Sequence, residues 1–247
     1  MSDDHVLLLH GQPGAAADWE RLQDALDERF QTIAIDRPGW DGRSRATDLA
    51  GNSRAALAAL DRAGVARVTV VGHSLGAAVA AWLACSHPDR VSRLVLVAPA
   101  ANVDSLGPVD YLLAAPVVGW LASVGAMAGG GLVLGATPVR RWVAEATALD
   151  ERYLRSAGRM LLARRAWRSF VREQRLLVRD LPELERRLGE VSLPTTIVTG
   201  SADRVVPIGA ARRLASQIPD ARLVEVEHAG HLVHVQHAGR VAEIIAG

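Results

Sequence analysis

Six short runs of aliphatic and β-branched residues recur along this chain, and stretches with helical spacing separate most of them. That alternation limits the possible folds more than any other feature. The runs are His5–Leu9 (HVLLL), Gln31–Ile35 (QTIAI), Val68–Val71 (VTVV), Leu94–Val97 (LVLV), Thr195–Thr199 (TTIVT) and Arg222–Val226 (RLVEV). Between and after them, helices are expected over Asp18–Leu26 (Trp19, Leu22 and Leu26 on one face), Asn52–Ala63 (opened by Asn52 or Ser53), Leu75–Cys85, Gly209–Gln217 and about Gly239–Ile245. Nearly continuous apolar strands alternating with helices are the pattern of a parallel sheet covered on both faces. A length of 247 residues fits one large domain or one domain carrying an insertion.

The middle of the chain, about residues 101–190, breaks the alternation. From Tyr111 to Val139 there are 29 residues without a charge. A membrane-spanning helix needs about 20 apolar residues in a row, but this run holds Pro116, Pro138 and six glycines, among them Gly129, Gly130 and Gly131. Those residues favour a lid of short apolar helices over a span. Residues 150–181 read as amphipathic helix, with Trp167, Phe170, Val171, Leu177 and Leu181 at helical spacing. Arg164, Arg168, Arg172, Arg175 and Arg179 form the other stripe, either a solvated face or an anion-attracting rim.

Charge and cysteine content remove several classes of function. All 28 basic residues are arginine, set against 27 acidic ones, so no global charge points to nucleic acid. The imbalance is local: residues 140–187 hold 13 Arg and 7 acidic residues, a surplus of 6 positive charges. The lone Cys85 rules out an internal disulfide. The start, MSDDHVLLLHG, has two acids and a short apolar run and lacks the form of a signal peptide, so a cytoplasmic location is expected.

The motif that carries chemistry is Gly72-His73-Ser74-Leu75-Gly76, a G-x-S-x-G between the expected strand VTVV and the helix from Leu75. A sharp strand-to-helix turn holds the serine in strained geometry with its hydroxyl exposed, and small neighbours are needed to avoid collision. The following helix aims its first amides and positive dipole end at that hydroxyl. Ser74 is therefore the candidate nucleophile. The N–H of Leu75, directly after it, is a candidate donor to a developing oxyanion.

With these residues on view, the chain resembles the α/β-hydrolase family over about residues 5–100 and 190–247. The resemblance rests on His10-Gly11-Gln12-Pro13-Gly14 after the first strand, Asp36 to Ser44 after the second, the GHSLG elbow and two C-terminal blocks, in the family order. It implies an α/β-hydrolase fold with a mostly parallel sheet of about six strands, because the N-terminal hairpin common in the family is missing ahead of His10. It also implies a core of residues 1–100 and 190–247 and an inserted helical cap at 101–189.

For the site, the resemblance implies that Asp203, in Gly200-Ser201-Ala202-Asp203, is the acid, with Asp104 after LVLV as fallback. It implies His231 as the base and the N–H of Gln12 as the second oxyanion donor, the Gln12 side chain being open to contact substrate instead. A serine needs such a base, and the base needs orienting. Asp36 and Arg37 are expected to tie their turn to the elbow.

His228, His231, His234 and His237 recur every third residue. On a helix that spacing spreads four imidazoles instead of converging them, so no metal site is expected. His234 and His237 are expected at the surface or a pocket edge, and His10 and His73 in local packing and hydrogen bonding. No cofactor is implied.

The resulting reading is a serine hydrolase cleaving the carboxylic ester of a small, apolar molecule. Leu112, Leu113, Val117, Val118, Trp120, Leu121, Leu132 and Leu134 supply the apolar character. The alternatives keep the triad and change the bond, to thioester, carbon–carbon, lactone or peracid chemistry, or keep the fold as a binding protein. The aspartate nucleophile of epoxide hydrolases and haloalkane dehalogenases is absent. The HGQPG loop lacks the extra glycines of the family's carbon–carbon bond hydrolases.

Overall fold

A computed structural model describes residues 5–247. The acidic start on which the signal-peptide expectation partly rests, residues 1–4, lies outside them. Six strands form one sheet: β1 (His5–Leu9), β2 (Gln31–Ile35), β3 (Val68–His73), β4 (Val91–Val97), β5 (Thr195–Gly200) and β6 (Arg222–Val226). All five pairings are parallel, in the order β2-β1-β3-β4-β5-β6. Strand residues alternate between two cores. Leu7, Leu9, Val70, Leu94 and Ile197 meet α2 (Leu49–Arg62), α3 (Leu75–Ser86), the C-terminal half of α8 (Arg164–Arg187) and α9 (Ile208–Gln217). Val6, Leu8, Val71, Val95 and Val198 meet Trp19, α1 (Glu20–Ala25) and α10 (Ala238–Ala246). A period of two along strands covered on both sides explains why the central runs β1, β3 and β4 are almost continuously apolar, while the edge runs β2 and β6 admit Gln31, Arg222 and Glu225.

The strand order places the site. The chain runs β1 to β2 at one edge, then returns to β3 on the other side of β1. The order reverses between β1 and β3, the position beyond the carboxyl ends of the strands where open parallel sheets generally bind their ligands. Leu9 pairs with Gly72, so the loop from His10 and the turn at Ser74 leave adjacent strands at the same level.

Helix boundaries depart from expectation where capping or packing overrides propensity. α2 begins at Leu49, because the Asp48 carboxylate accepts the Gly51 N–H at 2.7 Å and takes the N-cap role expected of Asn52 or Ser53, both buried inside the helix. The first helix is split into a 3-10 turn, Ala16–Trp19, and α1.

Between β4 and β5 the chain forms α4 (Pro108–Ala114), α5 (Val118–Gly135), α6 (Thr137–Thr147), α7 (Glu151–Leu162) and α8. Short apolar helices were expected over 111–139, yet α5 runs unbroken through Gly129, Gly130 and Gly131. Pro116 precedes α5 and Pro138 sits in the first turn of α6, so neither falls inside a helix. Gly131 has a packing reason: a Cβ there would come within 2.9 Å of the Gly158 carbonyl oxygen on α7. α5 is the one helix among the described residues long and apolar enough to cross a membrane, and 22% of it is buried. The expected amphipathic stretch 150–181 is two helices, parted at Ala163, and the second continues through Pro182 to Arg187.

Candidate active site

Ser74 stands between β3 and α3 with φ +52° and ψ −119°, outside the regions that L-residues favour. Its backbone is fixed on three sides: its N–H donates to Val97 O at 2.9 Å, and its carbonyl accepts from Ala77 N at 2.9 Å and Ala100 N at 3.2 Å. The flanking glycines are obligatory for packing. A Cβ on Gly72 would strike the Gly76 carbonyl, and one on Gly76 would strike the Leu9 carbonyl. The turn is therefore wedged against the end of β1. The Gly11 backbone lies so close that a Cβ would sit 2.7 Å from His73 Nδ1 and 3.1 Å from Ser74 Cβ.

Asp203 and His231, 28 residues apart, meet at 2.8 Å between Oδ2 and Nδ1. The Asp203 side chain is fully buried, and its Oδ1 accepts the Val205 and Val206 N–H groups at 2.8 and 3.0 Å, which fixes the carboxylate plane. The carboxylate holds the Nδ1–H tautomer of the ring and leaves Nε2 free to act as a base. Among the described residues the Ser74 hydroxyl makes no hydrogen bond to that ring. Catalytic hydrogen bonds are commonly long in unliganded enzymes and tighten when substrate binds.

The two loops are stitched together by contacts that the sequence does not advertise. A Cβ on Gly200 would collide with the Ala229 carbonyl, and Ala202 N donates to that same oxygen at 2.9 Å. Ser201 Oγ accepts His228 N at 2.9 Å. Gln236 reaches both ways, accepting Gly230 N at 3.0 Å and donating to Thr147 O on α6 at 2.8 Å. His73, directly before the serine, donates from Nε2 to the His231 backbone oxygen at 3.0 Å. That bond ties the loop carrying the imidazole to the elbow.

His234 was expected at the surface or a pocket edge. It is 1% exposed, packed with tilted ring planes between Trp19 (ring centroids 4.5 Å) and His73 (4.2 Å), and neither of its ring nitrogens has a partner. Burial, with the nearby His231 as a lesser cause, pushes its imidazole down to about 3. Burial likewise holds His73 and His10 well below the ordinary histidine value.

The Asp36–Ser44 turn works differently from expectation. Arg37 does not reach the elbow. It is buried and donates to His10 O at 2.9 Å and Gly11 O at 2.8 Å, and it pairs with Glu173 on α8, itself 1% exposed. Asp36 accepts Ala16 N at 2.7 Å. Trp40 Nε1 donates to Glu173 at 2.8 Å. Gln12 turns its side chain to α8 as well, donating to Phe170 O at 2.9 Å and Gln174 Oε1 at 3.5 Å. Glu173 was missed, although a signal exists: it falls between Phe170 and Leu177 on the apolar face of its helix, and an acid there needs a buried cation. The fallback acid Asp104 is half-exposed and paired with Arg213 at 3.1 Å, whereas Asp203 holds the imidazole.

The apolar residues expected to shape a substrate pocket mostly do not. Leu112, Val117, Val118, Trp120, Leu121 and Leu132 are 47–69% exposed on the outer surface of the inserted helices.

A family model described as the alpha/beta hydrolase fold matches residues 4–238. Among curated relatives, 2-hydroxy-6-oxononadienedioate/2-hydroxy-6-oxononatrienedioate hydrolase 2 of Pseudomonas putida is 29% identical over 246 residues, covering 92% of this chain and 80% of its own. A Klebsiella pneumoniae protein provisionally named carbamate hydrolase RutD is 30% identical over 235 residues, covering 92% and 84%. Among solved structures, a hydrolase from Pseudomonas aeruginosa PA01 aligns with a TM-score of 0.73 at 25% identity, covering 99% of this chain and 91% of that one. A match over nearly the whole length, on a six-stranded parallel sheet with a serine elbow, makes this chain a member of the α/β-hydrolase family of enzymes.

Proposed function

We propose that the chain is a serine hydrolase that cleaves an acyl bond of a small molecule through an acyl-enzyme, with an ester as the primary substrate class. The observation that carries this is the Asp203–His231 pair at 2.8 Å, whose loop is bonded through His73 to the strained turn of Ser74. In the proposed cycle, Ser74 Oγ attacks the substrate carbonyl carbon as His231 Nε2 takes the hydroxyl proton. Asp203 holds the imidazolium that forms. The tetrahedral oxyanion rests on the N–H of Leu75, the first amide of α3, and the N–H of Gln12. Helical amides at that position have no partner within the helix. The Gln12 side chain is engaged with α8, which favours its main-chain N–H as the donor. His231 then protonates the departing alcohol, and a water activated by the same ring hydrolyses the acyl-serine. The helices inserted between β4 and β5, within residues 101–189, act as the cap over this site.

A second reading, hydrolysis of a carbon–carbon bond beside a ketone, is favoured by one observation: several curated relatives at 25–29% identity carry the dienedioate hydrolase name. The test is labelling with an active-site-directed fluorophosphonate, followed by turnover of ester, thioester and vinylogous 1,5-diketone panels. Labelling of wild type but not Ser74→Ala, with ester turnover, is the expected result. Equal labelling of both would refute the nucleophile. Labelling with turnover of the diketone alone would select the second reading.

A further inference from the structure

Of the 13 large hydrophobic side chains that stand exposed among the described residues, 12 lie between Val109 and Leu162. Scattered apolar residues on a surface are ordinary, but a contiguous exposed patch marks an interaction face. The face centres on α5. Gly119, Ser123, Met127 and Gly131, every fourth residue, form its buried stripe. Gly131 and Gly158 hold the α5 and α7 backbones close. The rest of its circumference carries no charged residue and includes Val118, Leu121, Leu132 and Val133, each more than half exposed.

An arginine groove stands at the start of this uncharged helix, and an Arg–Glu cluster at its end. At its start, Trp120 forms one wall of a cavity of about 690 Å³ that is lined by Arg43, Arg45, Arg165, Arg168, Arg172 and Arg175 and by no acidic residue. Arg165 is engaged with Ser44 O and Asp41, and Arg175 with the carbonyls of Ala114 to Pro116. Arg168 and Arg172 have no acidic partner among the described residues. At the other end the Arg140 guanidinium caps the Leu134 and Gly135 carbonyls, and both Arg140 and exposed Arg141, which precedes exposed Trp142, are paired with Glu151 at 3.6 and 3.4 Å, so the unpaired positive charge is concentrated in the groove.

We infer that this face docks on the surface of an anionic phospholipid bilayer. The outer side of α5 enters the acyl boundary, the tryptophans lie at the headgroup level, and the arginine groove sits on lipid phosphates. Charge complementarity selects this occupant. A twofold contact between copies would set two basic faces together, and an acidic peptide would leave the charge-free helix in water. A spanning role would tear Gly131 from Gly158, whereas surface docking leaves the fold intact.

The experiment is flotation of the full chain with vesicles of phosphatidylcholine alone and of phosphatidylcholine mixed with phosphatidylglycerol, across a salt series. Binding is expected to the mixed vesicles only, weakening as salt rises. Trp120 and Trp142 emission should shift to the blue, a shift that the Trp120→Phe/Trp142→Phe variant loses. Arg168→Glu/Arg172→Glu and Leu121→Ser/Leu132→Ser should each reduce partition at least about tenfold, with circular dichroism and thermal unfolding showing both variants folded.

Absence of wild-type flotation with either vesicle overturns the inference. So does a dimer, seen by light scattering, that Leu121→Ser/Leu132→Ser converts to monomer. Saturable binding of soluble pyrophosphate without vesicle binding would also overturn it and make the groove a site for a free anion.

Discussion

Replacing Glu173 by alanine should destabilise this protein out of proportion to the atoms removed. The carboxylate is 1% exposed and accepts from both Arg37 terminal nitrogens and from Trp40 Nε1. After the change, Arg37 keeps three neutral acceptors, at His10 O, Gly11 O and Asn52 Oδ1, but no counter-charge. Leaving one member of a buried pair uncompensated costs about 3–5 kcal/mol. At about 2–4 °C per kcal/mol for a chain of this size, the melting temperature should fall by about 6–20 °C. Urea unfolding followed by circular dichroism and tryptophan fluorescence measures the change, provided the two probes coincide. Glu173→Gln, which keeps an acceptor for Trp40, should lose less. The double variant Arg37→Met/Glu173→Leu should recover most of the loss, because an apolar pair of similar volume replaces a buried ion pair at little cost. A Glu173→Ala protein within about 1 kcal/mol of wild type, the median of an exposed pair, would refute the argument. So would a double variant whose losses simply add.

Further outcomes follow from the same geometry. Asp203→Asn should leave the fold intact and lower kcat by about four orders of magnitude, as loss of the tautomer-holding acid does in serine proteases; steady-state kinetics with unchanged thermal unfolding is the check. Gly76→Ala should fail to give folded protein at growth temperature, since its Cβ would strike the Leu9 carbonyl, whereas Gly189→Ala, with nothing within 4 Å, should express normally. Stability should fall with acid from about pH 6.5 downward. His10, His73 and His234 are held neutral by burial, so the unfolded chain takes up protons first, at about 1.4 kcal/mol per pH unit for each. Asp18, raised to about 6 chiefly by burial, works the other way between its ordinary value and 6 and offsets part of this slope. His234→Phe, which sacrifices no hydrogen bond, should flatten the urea-midpoint curve between pH 6.5 and 4; an unchanged slope would refute the assignment.

Much of the core was legible because its residues answer to local rules. A strand covered on both faces is apolar or β-branched at nearly every position, so LVLV or VTVV reads as a sheet element without any knowledge of its neighbours. The strained turn at Ser74 was legible because it demands small residues at fixed offsets. The inserted helices resisted for a physical reason. Proline and glycine in 111–139 read as breakers, yet Pro116 and Pro138 fall at boundaries, and Gly131 is where α7 approaches. Spacing alone does not reveal which glycine interrupts a helix and which lets two helices touch. The eight apolar residues there read as a pocket because hydrophobicity carries no direction, and in the structure most of them face outward.

The harder part of the site to read was its support. His73 read as a local packing residue and His234 as a surface or pocket-edge one, yet one bonds the His231 backbone and the other packs against the His73 ring. Both acts join segments more than 150 residues apart, and no pattern within a single segment records them. What a sequence does record is the unmet requirement: an acid on an apolar helix face, or an arginine beside a tight turn. Glu173 and Arg37 each posed that question, and only the fold shows that each answers the other. Their pairing fastens α8 to the loop that carries Gln12 and sets its backbone beside Ser74. α8 thus contacts the loop of the proposed oxyanion donor directly, through Gln12 and Arg37. Loosening that fastening, as in Gln12→Ala, should lower turnover and slow fluorophosphonate labelling of Ser74 together, because the phosphonyl oxygen takes the same donors.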